Sequence, residues 1–164
     1  MAKITLKQIA PFLAGALLAA SCSSSKNAVS VPDRESVKGT WVLNTVSYQG
    51  LSGAKITTLL DEGSENCVKG STWILPNNGY GSYTINSSAS ACTPGQRNIV
   101  WSYQKSGDQA TFQYKRLEGG VKAKDIADGY RFKILSVDAS SMNLQSEVNF
   151  EGKPVYINYS FSKQ

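Results

Sequence analysis

Short segments in which apolar and polar residues alternate follow one another along most of the chain. A period of two is the pattern expected of a β-strand that has one buried and one exposed face. The alternation is clearest in the last segment, residues 153–162, whose apolar face would consist of Val155, Ile157, Tyr159 and Phe161. The pattern therefore predicts a protein built from β-strands, with half of each strand facing a common core.

The alternating segments predict eight strands, which we name β1 to β8 in chain order. In β7 we expect Met142, Leu144 and Val148 to share the buried face. Clusters of Gly, Pro, Asn, Asp and Ser predict short turns between the strands, as at residues 76–79, which read Pro-Asn-Asn-Gly. The predicted strands are residues 39–49, 71–75, 80–86, 98–104, 110–116, 129–137, 142–148 and 153–162.

Eight consecutive strands joined by short turns suit one all-β architecture in particular. An open sheet would leave two unpaired edges, whereas an antiparallel up-and-down barrel pairs its first strand with its last. A barrel of this size is wide enough to hold one small ligand, although side chains alone can also fill it. We therefore predict an all-β fold, an eight-stranded up-and-down antiparallel barrel.

One connection, residues 50–70, is much longer than the others. Residues 54–61 place Ile56, Leu59 and Leu60 at helical spacing, which is compatible with one or two helical turns. A loop of this length is typical of a lid or binding loop. The alternative is a surface excursion whose two leucines pack on the outside of the barrel.

The same loop contains a small acidic cluster, formed by Asp61, Glu62 and Glu65. Such a cluster can hold Ca²⁺ weakly, but a solvated loop face is the more ordinary arrangement and is the one we expect.

The first 21 residues have the pattern of an export signal. Lys3 and Lys7 precede an apolar run at residues 9–20, which is shorter than the roughly 20 residues needed to span a bilayer. The segment Leu18 to Cys22 resembles the signal of bacterial lipoproteins, which implies cleavage before Cys22 and acylation of that cysteine. The alternative is an ordinary secretory signal that leaves Cys22 as an unpaired thiol.

We expect the mature chain to begin with a tether and continue as a single domain. Residues 22–35 are small, polar and without periodicity, as in flexible linkers. The domain is predicted to cover residues 36–164, a length sufficient for one hydrophobic core.

Composition excludes several classes of chemistry. The 164 residues include no histidine, so histidine-dependent catalysis and histidine-ligated zinc are excluded. No nucleophile with an activating base and no glycine-rich phosphate loop is recognisable. We predict a protein that is not an enzyme and that has no cofactor and no metal site.

The net charge of +5 is unevenly distributed. It falls to +3 when Lys3 and Lys7 leave with the signal, and residues 115–133 alone hold six basic against three acidic residues. We expect Lys122 and Lys124 to form a basic rim at the barrel opening that attracts an anionic ligand or lipid head group. The alternative is a solvated hairpin tip. The small surplus and the predicted export argue against nucleic acid as a partner.

Two cysteines, Cys67 and Cys92, remain for pairing in the mature chain. An exported compartment permits a disulfide, and closing this loop would contribute ~3.5 kcal/mol in the chain-entropy model. A thiolate metal site is the alternative, but two cysteines without histidine are a poor ligand set. In an up-and-down barrel the disulfide would join the β1–β2 and β3–β4 loops at one end.

The start of β1 carries a family signature. Gly39, Thr40 and Trp41 resemble the Gly-x-Trp motif of lipocalins. Over residues 36–163 the chain resembles the lipocalin-like lipoprotein domains common in Bacteroidota. That second resemblance rests on Asp61-Glu62, Cys67 to Trp73, Pro76 to Gly79 and Tyr83.

The resemblance implies a lipocalin-like barrel in which Trp41 closes the floor beneath a stacked basic residue from the end of the last strand. Lys163 is the cation near that position, where lipocalins usually have arginine. The resemblance further implies non-catalytic binding of a small hydrophobic or amphiphilic ligand. Candidate lining residues are Trp101, Tyr103, Phe112, Tyr130, Phe132, Ile157 and Tyr159, which would otherwise fill a closed core.

An accessory barrel that binds a protein or glycan through its loops is the alternative function. We expect a monomer anchored to the outer membrane through Cys22. Residues 23–27 contain no acidic residue, unlike the segment after the cysteine in many surface-exported lipoproteins of Bacteroidota, so we expect the periplasmic face.

Overall fold

The computed structural model describes residues 31–51, 56–119, 121–127 and 129–164. The predicted signal segment, the acylation of Cys22 and most of the predicted tether lie outside the described residues. None of the helices in the described ranges is long and apolar enough to cross a membrane.

Eight antiparallel strands, each paired with the next in sequence, form a closed barrel because β8 also pairs with β1. The predicted up-and-down barrel is therefore confirmed. β4 begins three residues earlier than predicted, and the last two strands are slightly longer. The strands are β1 Gly39–Gln49, β2 Thr72–Leu75, β3 Tyr80–Ile85, β4 Gly95–Ser106, β5 Gln109–Arg116, β6 Tyr130–Val137, β7 Ser141–Phe150 and β8 Lys153–Lys163.

The alternation in sequence becomes the inner and outer faces of the barrel. In β8 the four apolar residues of the predicted face are all buried. Met142 and Leu144 of β7 are buried as expected, but Val148 is 40% exposed, so its predicted place in the core was wrong. The pairing of β6 with β7 ends at Gln145, so Val148 lies in the part of β7 that is paired with β8 alone.

One end of the barrel is closed by the short helix α1, Arg34–Val37, which enters β1 directly. Val37 is fully buried, and its carbonyl oxygen accepts a hydrogen bond of 2.9 Å from Trp41 Nε1. Lys163 Nζ lies 5.0 Å from the centroid of the Trp41 ring, a cation–π arrangement. Lys163 thus takes the stacked position that the resemblance assigns to a basic residue.

Two predicted ligand-lining residues also lie at this closed end. The Arg34 guanidinium is 4.5 Å from the Trp101 ring centroid and donates to Asn77 in the β2–β3 turn. Tyr103 donates a hydrogen bond to the carbonyl oxygen of Pro32. Trp101 and Tyr103 therefore pack the chain that leads into β1 against the barrel floor.

Two features of position 39 require glycine in this floor. Its φ of +134° is one that side chains rarely adopt, and a Cβ there would lie 2.7 Å from Lys163 Cε. We expect Gly39→Ala to cost about 1–3 kcal/mol of stability through backbone strain, and to push Lys163 off Trp41. Urea unfolding measures the loss. The matched control is Gly119→Ala, because a Cβ there would meet nothing within 4 Å. Equal stability of the two variants would contradict the requirement for glycine at position 39.

Candidate functional site

The other end of the barrel is closed by loops instead of by a helix. The Cys67–Cys92 disulfide is formed, which confirms the predicted pairing and joins the β1–β2 loop to the β3–β4 loop. Tyr130, at the start of β6, donates a hydrogen bond to Asp61 in the β1–β2 loop. The β1–β2, β3–β4 and β5–β6 loops therefore meet at one end of the barrel. We call this loop-covered end the open end, to distinguish it from the floor that α1 closes.

The described part of the β1–β2 loop has no helical turn where one was predicted. Residues 52–55 lie outside the described ranges, and residues 56–61 contain no helix. Leu60 and Asp61 have φ values of 55° and 57°, a left-handed conformation that a right-handed helix does not allow. The helix of this loop is instead α2, Glu65–Val68, which contains Cys67.

Residues 59–62, which we call the plug, turn into the barrel opening. Leu59 is 2% and Leu60 is 7% exposed. Leu60 reaches the barrel interior, where it lines the same small cavity as Trp73 and Phe112. The two leucines therefore close the open end from within and do not lie on the outer surface.

Glu62, the last residue of the plug, holds a buried charge. Its carboxylate accepts two hydrogen bonds from Arg97, from Nε at 3.0 Å and from Nη2 at 2.8 Å. Arg116 Nη1 lies 3.3 Å from the same carboxylate, and Tyr83 donates to it at 2.7 Å. The expectation of a solvated acidic face was wrong for Glu62, because distant strands bring two arginines to it.

A group of tyrosines lies around this ion-pair network. The Tyr114 ring stacks on Tyr130 at a centroid distance of 4.8 Å and is 5.9 Å from the Tyr83 ring. Tyr114 Oη is buried and has no hydrogen-bond partner among the described residues. Burial raises the pKa of all three phenols, and the hydrogen bonds to Glu62 and Asp61 raise the pKa of Tyr83 and Tyr130 further.

The interior of the barrel is almost filled. A cavity of about 10 Å³ remains, roughly the room that one water molecule needs. Phe112, Phe132 and Tyr159 of the predicted ligand-lining set border it, and Ile157 is buried in the same core. These side chains fill the core while the plug is in place.

A larger depression of 520 Å³ lies outside the plug, within the range of small-molecule sites. Tyr130, the remaining predicted lining residue, forms part of it. Its wall combines apolar and charged groups of both signs: Asp61, Arg116, Glu118, Val121, Ile126, Ala127, Gly129 and Tyr130.

The two lysines predicted at the rim lie elsewhere. Lys115 Nζ donates to the carbonyl oxygen of Ile126, which folds the β5–β6 loop back along the barrel. Lys122 and Lys124 line grooves with Tyr80 and Val100 of the outer wall. The charges that border the depression are those of Asp61, Glu118 and Arg116. In the described part of the chain, no three His, Cys, Asp or Glu side chains converge as metal ligands.

A family model described as a lipocalin-like domain matches residues 37–144, which runs from the end of α1 into β7. This chain belongs to the lipocalin-like domain family. No curated protein and no solved structure matches it. Proteins of this family are in general binding proteins and not enzymes.

Sequence reasoning did not identify the arginines of this lipocalin-like domain as site residues, although the sequence contains a signal for them. Arg97 has the same strand phase as the buried Ile99 and Trp101, and Arg116 has the phase of Phe112 and Tyr114. A charged residue in the inward phase near a strand end indicates a buried polar site. Its partner Glu62 lies in a loop, where no such periodicity exists.

The disulfide should hold the base of the plug loop. We expect the Cys67→Ser/Cys92→Ser variant to lose ~3.5 kcal/mol of unfolding free energy, because its unfolded chain regains the entropy of an open loop. Urea unfolding measures this loss. Hydrogen exchange should also become faster in residues 59–68 than in β4 and β5, and unchanged exchange in the loop would contradict this role.

The tyrosines predict an alkaline limit to stability. Because burial raises the pKa of Tyr83, Tyr114 and Tyr130 above the usual 10.0, the unfolded chain loses these protons first. The stability that these three protonated tyrosines contribute is fully present below pH 10. It is lost as the pH rises through their pKa values in the folded state. Denaturant titrations at rising pH, followed by tyrosinate absorbance, test this. Tyr114→Phe should lose less unfolding free energy at alkaline pH than the wild type. Identical dependence of stability on pH in the two proteins would contradict the role given to Tyr114.

Proposed function

We propose that this lipocalin-like protein binds a small amphiphilic molecule at the open end of its barrel. The ligand would displace the plug, place its apolar part where Leu60 now lies, and leave its polar part near the depression. The observation that carries the proposal is that a buried loop residue, Leu60, lines the interior cavity, whose other lining residues all belong to strands.

The two ends of the barrel differ in a way that supports this site. The barrel wall is a continuous ring of paired strands, and opening it would break backbone hydrogen bonds. The floor is closed by α1, which continues directly into β1. The plug, in contrast, is held by side chains and by the disulfide at Cys67, so it can withdraw without disturbing any strand.

Withdrawal would exchange one apolar group for another. Removing Leu60 from the interior exposes apolar surface worth about 1.5–3 kcal/mol, which an alkyl or aryl group of the ligand would recover. Phe112, Phe132 and Tyr159, predicted as lining residues, would then contact that group.

The proposed membrane anchor is compatible with access to this site. We propose that acylated Cys22 holds the protein at the periplasmic face of the outer membrane. Cys22 precedes Val31 by nine residues, which span at most about 30 Å. Val31 and Pro32 pack at the closed end, so the tether would join the barrel there and leave the open end uncovered.

An accessory role through the outer wall is the second candidate. Tyr80 is 61% and Ile74 48% exposed on neighbouring strands, and Lys122 and Lys124 lie beside Tyr80. An exposed aromatic and apolar surface with basic neighbours favours contact with another macromolecule.

Native mass spectrometry of the full chain, extracted from membranes in mild detergent, tests the binding function. We expect a small-molecule adduct that is lost on denaturation. Leu60→Ala should carry more of it because the plug then competes less for the interior.

The matched control is Leu135→Ala, since Leu135 is 43% exposed on the outer face of β6 and should leave adduct occupancy unchanged. Absence of an adduct from the wild type and from both variants would favour the accessory role instead.

A further inference from the structure

We propose that Arg97, Arg116 and Tyr83 form a carboxylate-binding site, which Glu62 of the plug fills from within the protein. The ligand that displaces the plug would then be a monocarboxylic amphiphile, whose head group takes the place of the Glu62 carboxylate. This inference rests on the proposed binding function and names the chemical class of its ligand.

The three donors belong to the rigid wall of the barrel and not to the plug. Tyr83 on β3 is the direct cross-strand partner of Arg97 on β4. Arg116 on β5 is the cross-strand partner of Ile99, two residues after Arg97. Backbone pairing on three adjacent strands therefore fixes the main-chain positions of the donors independently of the plug.

Their geometry suits a carboxylate. Arg97 approaches Glu62 as a fork, with one nitrogen on each carboxylate oxygen at 3.0 and 2.8 Å. Paired parallel hydrogen bonds of this kind match the planar carboxylate group and are stronger than bonds between neutral groups. Tyr83 Oη and Arg116 Nη1 add contacts at 2.7 and 3.3 Å.

Charge makes the displacement selective. The side chains of Arg97 and Arg116 are 16% and 30% exposed, so both are largely removed from water. If Glu62 leaves and a neutral molecule enters, Arg97 and Arg116 lose the one carboxylate that both of them contact, which is unfavourable for guanidinium groups that are largely removed from water. An incoming carboxylate restores the pairing, so the exchange favours acids over neutral amphiphiles.

The plug itself has the chemistry of such a ligand. Leu60 inserts an alkyl group among the aromatic side chains of the interior, and Glu62, two residues later, presents a carboxylate to the arginines. A molecule with an alkyl chain and a terminal carboxylate would reproduce both contacts.

Tyr114 provides an independent sign of a ligand. Its hydroxyl is buried and has no partner within the described residues, while its ring lies 5.9 Å from that of Tyr83. A buried polar group without a partner is unfavourable and uncommon in folded proteins. Tyr114 stands two residues before Arg116 on β5, and its hydroxyl offers a hydrogen bond that the plug leaves unused.

Small carboxylates and a neutral analogue test the site in the full chain in non-ionic detergent. Hexanoate and hexanamide share one shape and differ in charge. Glu62→Gln removes the internal carboxylate charge, so we expect this variant to bind hexanoate at least ~10-fold tighter than the wild type, equivalent to about 1.4 kcal/mol. Hexanamide binding should change little. Isothermal calorimetry measures both affinities.

The matched control is Glu65→Gln, because Glu65 lies in the same loop but contacts Tyr48 and Lys69 instead of the arginines. It should bind hexanoate as the wild type does. Adding Arg97→Gln to Glu62→Gln should abolish the gain. Equal gains for hexanoate and hexanamide, or no gain for hexanoate, would overturn the carboxylate site.

Unpaired arginines can weaken folding of Glu62→Gln, so its thermal unfolding provides a second measurement. Acetate should raise the unfolding temperature of Glu62→Gln more than chloride at equal ionic strength, and should have no such effect on the wild type. Equal effects of the two anions would overturn the inference. The adduct test is separate: an adduct that is neutral refutes the carboxylate site alone, and absence of any adduct refutes the binding function.

Discussion

The pairing of β1 with β8 is the constraint on which the rest of this structure depends. It leaves the sheet without an edge, so the inward residues of every strand face one another and must be packed to fill a closed volume. The same register places Trp41 opposite Lys163, which brings the floor tryptophan and its cation together. Closure of the wall also restricts any large opening to the two ends.

The two ends are closed by different physical means. The floor uses α1 and residues next to it in sequence, with hydrogen bonds to backbone carbonyls from Trp41 and Tyr103. The open end uses a loop whose Glu62 is paired with two arginines in a largely water-excluded position. Burying an ion pair costs desolvation, so such a pair adds little net stability unless its geometry and hydrogen bonds are good. The open end therefore depends on contacts between residues far apart in the sequence, whereas the floor depends largely on α1 and its sequence neighbours.

Much of the fold could be predicted from the sequence, because alternation and turn residues are local signals. They located all eight strands, the inward phase of Ile157 and Tyr159, and loops close enough to join Cys67 with Cys92. The failures occurred where burial depends on a neighbour that is distant in sequence. Val148 has the inward phase but lies beyond the last residue of β7 that pairs with β6.

The candidate site was harder to predict than the fold for the same reason. By itself the sequence determined the strand order, the inward faces and the presence of an unusually long first loop, since these follow from periodicity along the chain. Only the tertiary structure decided that this loop enters the barrel and that Glu62 meets Arg97 and Arg116. These three side chains come from one loop and two strands. The attraction between them depends on their short distances and on their burial. Both are properties of the closed barrel, in which β8 pairs with β1.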